Sequence, residues 1–146
     1  MSQSTTNHSA LNSTSDSTSA SAAVALAGRI LISAIFLISG FSKVTNPSAI
    51  LGYIGSAGLP FPQLALIVAI VVEIGGSLLL ILGYRTRLVA LVMAVFTVAA
   101  ALAFHNHLAD QNQFTHFFKN IAMAGGLLQV LAFGAGRLSL DARRRG

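Results

Sequence analysis

Two sets of residues in this chain have side chains able to do chemistry and stand where such side chains are costly. Arg29, Glu73, Thr97 and Gln129 each interrupt a long apolar run, while Lys43, His105 and Lys119 stand at the ends of such runs. A charged residue at the centre of a membrane helix costs on the order of 2.5 to 3.5 kcal/mol, so the first set is expected to pair internally or to serve a ligand, quinone or proton site. Counted at about 1.5 Å per residue from the inner boundary, Arg29 lies roughly 10 Å, Glu73 and Thr97 roughly 13 Å and Gln129 roughly 8 Å deep, a single intramembrane polar layer. The expected arrangement is an Arg29–Glu73 ion pair hydrogen-bonded to Thr97 or Gln129. Lys43, His105 and Lys119 are expected to gather at the outer face. Two amines there raise the local positive potential, which suits an anion or a quinone carbonyl. Each set also has a purely structural reading: a pair that fixes helix register, and three side chains snorkelling to an interface.

Other chemistries are weaker. His105-x-His107, with Asp110 and His116, matches no standard zinc spacing, and no metal is expected. Gly75-Gly76 and Gly125-Gly126 lack the strand–turn–helix setting of a nucleotide loop and are better suited to close helix packing.

The elements that position these residues are read from the apolar runs Ala22 to Phe41, Leu64 to Leu82 and Leu88 to Phe104. Each approaches or reaches the roughly 17 to 25 residues that cross a bilayer as a helix. A fourth run, Ile121 to Phe133, reaches that length with Phe117 and Phe118 upstream and Gly134 and Ala135 downstream, provided Lys119 snorkels. The expectation is an all-α, four-transmembrane-helix bundle with helices near 22–42, 64–82, 88–104 and 117–135. The runs are apolar on every face, which excludes the alternation of a membrane β-barrel. Arg29, Ser33, Phe36, Gly40 and Lys43 recur at helical spacing and form one stripe that should face the bundle. Asn46-Pro47 followed by Gly58 predicts a short interfacial helix, Pro47 to Ala57, between helices one and two.

Composition agrees. Of 146 residues, 54% are hydrophobic and only 9% charged, far from the roughly 25% charge of a soluble domain. The net charge of +5 is spread over helix ends and a tail, so nucleic acid is not an expected partner; the lipid bilayer is. Residues 1–21, rich in Ser, Thr and Asn, are expected to be a disordered tail, and 137–146 a basic one. Arg85, Arg87, Arg137, Arg143, Arg144 and Arg145 share one side against Lys43 and Lys119 on the other, which places both termini in the cytoplasm. The chain has no cysteine and so cannot relay sulfur or shuttle disulfides by itself.

Together, Gly28-Arg29 with Phe36, Gly40 and Lys43, then Gly58-Leu59-Pro60, Glu73 with Gly75-Gly76, Gly83 and Arg85, His105, and Lys119-Asn120 with Gly125-Gly126 resemble the DoxX family over roughly Ala27 to Asp141. The resemblance implies a multi-pass bacterial inner-membrane protein with a four-helix bundle. It also implies redox work by association, since some relatives are subunits of a thiosulfate:quinone oxidoreductase or join oxidative-stress complexes. Three functions fit: a scaffold or accessory subunit of a membrane complex, a quinone-interacting oxidoreductase subunit, and a small-molecule or proton transporter. A quinone is the one cofactor these readings suggest, a membrane or periplasmic redox protein the expected partner, and a homo-oligomer a further arrangement they allow.

Overall fold

The computed structural model describes the backbone of residues 4–144 and the side chains of residues 19–144. α1 runs from Ser4 to Thr45, α2 from Pro47 to Ser56, α3 from Pro62 to Ile70, α4 from Gly76 to Leu82, α5 from Thr86 to Phe104, α6 from Gln111 to Phe133 and α7 from Leu140 to Arg143. A π-helical turn, Val71–Gly75, joins α3 to α4 so that Pro62–Leu82 forms one rod. No strand occurs among the described residues, and the fold is the expected all-helical membrane bundle.

Three helical stretches have the length and hydropathy of membrane spans: Ser19–Thr45, Pro62–Leu82 and Thr86–Phe104. α6 has 23 residues, about 34 Å of helix, enough to cross as the fourth. It begins at Gln111 rather than near 117 because Asp110 caps it, accepting a hydrogen bond from the Gln113 amide at 2.9 Å. α1 is helical back to Ser4, where a disordered tail is the expectation from composition. Once a stable span exists, extending it adds a hydrogen bond for each residue fixed, so a polar stretch can continue a helix that it would not nucleate. Met1 to Gln3 lie outside the described residues. At α2, Asn46 holds the N-cap position with Pro47 next, but its side chain donates to Thr45 Oγ1 at 3.0 Å instead of capping the helix.

The distribution of side chains is that of a protein dissolved in lipid. Leu31 and Ile38 point outward, 73% and 72% exposed, while Arg29, Ser33, Ser77 and Thr97 are buried among the helices. Outward apolar side chains match the bilayer, and the polar ones must find partners within the bundle.

At the end of the bundle where α4 turns into α5, the segment after α6 folds back as a latch. Asp141 accepts hydrogen bonds from the amides of Arg85 and Thr86, both at 2.8 Å, and thereby caps α5. Its own amide donates to the Gly83 carbonyl at 2.8 Å, and Ser139 caps α7 by accepting from Ala142. Arg85 is held with φ at 45°, a left-handed conformation that the Asp141 bonds sustain. Gly83, at φ 69°, has no room for a Cβ, which would collide with Ser139 and the Arg29 guanidinium. The basic segment that follows α6 is therefore docked at least as far as α7, because orphan amides at a helix start attract a carboxylate. Arg145 and Gly146 lie outside the described residues. Asp141→Ala is expected to cost about 1 to 2 kcal/mol, the range for a lost cap, and to expose Arg137 to trypsin. Unchanged cleavage kinetics and an unchanged unfolding temperature would show that the latch is not held by this carboxylate.

Candidate functional site

At the opposite end, α1, α3, the π-helical turn, α5 and α6 line a partly open cavity of about 420 Å³ that α2 covers. Its wall is mostly apolar, with Phe36, Ile54, Val68, Phe96 and Met123 among the lining residues. The polar groups that reach it are Ser39, Lys43, Glu73, Thr97, His105, Lys119 and Asn120.

Glu73 enters from the π-helical turn, a distortion that re-aims a side chain which a regular helix would place elsewhere. Lys43 Nζ lies 3.0 Å from each carboxylate oxygen of Glu73, with the hydrogen bond directed at Oε1. Ser39 joins them: Lys43 donates to its hydroxyl at 2.8 Å, and that hydroxyl donates to Glu73 Oε1 at 3.3 Å. Glu73 is 7% exposed in its side chain and Lys43 18%, so this is a largely buried pair whose members neutralise each other. Gly40 makes the approach possible, since a Cβ there would press on Ile74 and Glu73. Thr97 is buried and donates to the Met93 carbonyl of its own helix at 2.6 Å, leaving its oxygen as an acceptor.

Toward the α5–α6 turn, His105 Nδ1 lies 3.2 Å from Gln113 Oε1 and its ring stacks on His116 at 5.1 Å. Lys119 Nζ lies 2.9 Å from His116 Nδ1. That ammonium holds His116, in the polar first turns of α6, below the ordinary proton affinity of an imidazole, with burial and His105 acting in the same direction. Tyr53 of α2 stacks on Phe104 at 5.3 Å and so fixes α2 over the cavity. No cluster of three or more metal-ligating side chains occurs among the described residues.

The structure thus divides the expected polar layer. Glu73 and Thr97 share the cavity with Lys43, His105 and Lys119, whereas Arg29 and Gln129 do not line it. The expected Arg29–Glu73 pair does not form. Arg29 instead donates to the carbonyls of Leu80 at 2.9 Å, Ile81 at 3.0 Å and Leu138. Arg29 faces the end of α4, which leaves Glu73 seven residues further along the rod, about 10 Å away. Lys43, on a long flexible stem, reaches Glu73 from the other direction. Gln129 is exposed on the lipid-facing side of α6. Sequence reasoning missed Ser39, although its place four residues before Lys43 sets both on one helix face. It also missed Asp141, although Ser139 three residues before Ala142 carries the signature of a helix start.

The DoxX family profile matches residues 24–106, more than half of the chain. The chain belongs to the DoxX family. This DoxX protein is 34% identical over 123 residues to inner membrane protein YphA of Escherichia coli (strain K12), covering 81% of the chain and 88% of the relative. It is 34% identical over 116 residues to inner membrane protein YqjF of the same organism, covering 80% and 88%. It is also 33% identical over 113 residues to an uncharacterised protein of Haemophilus influenzae, covering 77% and 69%. No solved structure matches. With its helices and these relatives, it is a multi-pass inner-membrane protein in contact with the lipid bilayer. The stretch matched by the DoxX profile contains Arg29, Lys43, Glu73, Thr97 and His105, while Lys119 and the latch lie beyond it.

Proposed function

We propose that this protein is an accessory subunit of a membrane complex that holds a lipophilic, carbonyl-bearing ligand of the quinone class, while a partner protein supplies the electron-transfer chemistry. One observation carries the reading: the Lys43–Glu73 pair stands in the wall of a cavity of about 420 Å³ instead of in packed core. An ion pair whose sole task was to fix register would be enclosed by side chains. Here an apolar chamber meets a few convergent polar groups, which is the pattern of a small-molecule site. The apolar wall suits a ring and its methyl groups. Lys43 and Lys119 are donors for carbonyl oxygens, and the Ser39 hydroxyl, which accepts from Lys43, orients that ammonium. The chain contributes no thiol, so sulfur or electron relay falls to the partner. The surplus of arginine at the latch end supports cytoplasmic termini, with the cavity toward the outer face.

The test is purification in mild detergent followed by unfolding with and without a short-chain quinone. At about 100 times its dissociation constant the ligand should add about 2.7 kcal/mol of apparent stability. Absence of co-purified quinone, together with an unfolding temperature that saturating quinone leaves in place, overturns the reading.

A further inference from the structure

The wall of the cavity is not continuous. α4 packs on α5, so closely at Gly76 that a Cβ there would meet the Met93 sulfur at 2.9 Å. α3, the outer half of the same rod, makes no comparable contact with α5. The two helices part at the π-helical turn, and such turns are a recurrent cause of bends in long helices. Because the rod and α5 run antiparallel, the meeting of Gly76 with Met93 sets Ala69 level with Ala100, further out. Ala65, Val68 and Ala69 of α3 and Ala99, Ala100 and Ala103 of α5 all line the cavity. Small side chains ordinarily let two membrane helices close on each other; between helices that stand apart they leave a slot. Val68 is 46% exposed and Ala69 7%, so the slot leads from the lipid-facing surface into the cavity. Tyr53, stacked on Phe104, holds α2 over its outer end, and the slot therefore opens sideways into the bilayer.

We propose that the slot between α3 and α5 holds a hydrocarbon tail, so that the cavity is loaded sideways from the outer half of the bilayer and selects molecules with a long, slim chain on a carbonyl head. The inference rests on the reading of the cavity as a quinone-class site and adds to it the class of ligand: tailed and dissolved in the membrane, not tailless and dissolved in water. The polarity of the site runs the right way. Lys43, Glu73 and Thr97 reach the cavity at the inner end of the slot. From Pro62 to Ile70 and from Val98 to Phe104 no side chain carries a charge. Val68 is five residues outward from Glu73, about 7.5 Å along the rod, so a head group beside Lys43 directs its chain to the slot. Each methylene buried there adds affinity that a tailless head lacks. Val68 and Ala99, both exposed at the lip of the slot, set its width and hence which chains pass.

Two measurements on the full chain test the proposal. In the first, a decyl-tailed benzoquinone and a tailless one with the same head are titrated against the unfolding temperature in mild detergent. The parent is expected to bind the tailed compound at least about tenfold more tightly. Ala99→Phe, which narrows the slot from its lipid side, should remove about that factor for the tailed compound and leave the tailless one as it was. Equal affinities in the parent, or a plugged variant that treats both compounds as the parent does, overturns the slot. The second measurement needs no quinone. In nanodiscs made with a phospholipid that carries a diazirine at the end of its acyl chain, illumination should label Ala69, although it is buried, along with lipid-facing Leu31, which is 73% exposed. Ala99→Phe and Val68→Phe should each lower the labelling of Ala69 relative to Leu31 about tenfold, and an unchanged ratio overturns the slot. If no quinone protects the parent while the labelling falls as expected, the quinone reading fails and the slot stands, so the two failures are distinguishable.

Discussion

Replacing Arg29 with alanine is expected to remove about 3 to 5 kcal/mol of stability and most of the protein from the membrane fraction. The residue is 1% exposed and donates to three backbone carbonyls from two distant parts of the chain. Leu80 and Ile81 are at the end of α4, where carbonyls outnumber the amides left to bond them; Leu80 also accepts from the Gly83 amide at 3.2 Å. The negative end of the helix dipole adds to the attraction. Truncation removes the guanidinium from all three carbonyls and leaves a void, and a buried acceptor that loses its partner costs about 1 to 3 kcal/mol. Arg29→Lys should fall between, since an ammonium keeps the charge but cannot reproduce the planar fork that reaches three acceptors. Abundance in membranes and the detergent unfolding temperature report both variants. A stable Arg29→Ala protein would mean that other groups satisfy the latch and the end of α4.

The second large effect is at the cavity. Lys43→Met leaves the Glu73 carboxylate buried with only Ser39 beside it, and is expected to cost about 3 to 5 kcal/mol. Combining it with Glu73→Leu removes both charges, and most of the stability should return, because a matched apolar replacement of a buried pair is often neutral or better. Protection by short-chain quinone should return only in part, since Lys43, one of the two amines that donate to its carbonyls, is gone while Lys119 stays. The contrast separates the two readings of the pair. A double variant that regains both stability and full quinone protection would make the pair a device for helix register alone.

Apolar run length was enough to find the helices, because lipid demands continuous hydrophobic stretches whatever the tertiary contacts. The interfacial helix was equally legible from Pro47 and Gly58. Side-chain pairing was not. Depth counting placed Arg29 and Glu73 in one layer, yet the register between α1 and the rod depends on where Gly40 and Gly83 let other groups approach, and a one-turn error exchanges partners. Phase on α6 was also beyond the sequence: Gln129 is the polar residue in the last run, but α6 packs on α5 through Ala124 and Leu127 and turns Gln129 outward. Lys43, His105 and Lys119 were legible as a group because all three stand at helix ends on one side. The π-helical turn that brings Glu73 to them leaves no mark in apolar periodicity, because its neighbours are apolar on every face.

The partner that Leu138 gives Arg29 lies 109 residues downstream. While a ribosome is still delivering the later spans, the guanidinium in the first one lacks part of its coordination. Insertion must tolerate that charge until the final segment arrives, so completion of the bundle waits on the loop that follows α6.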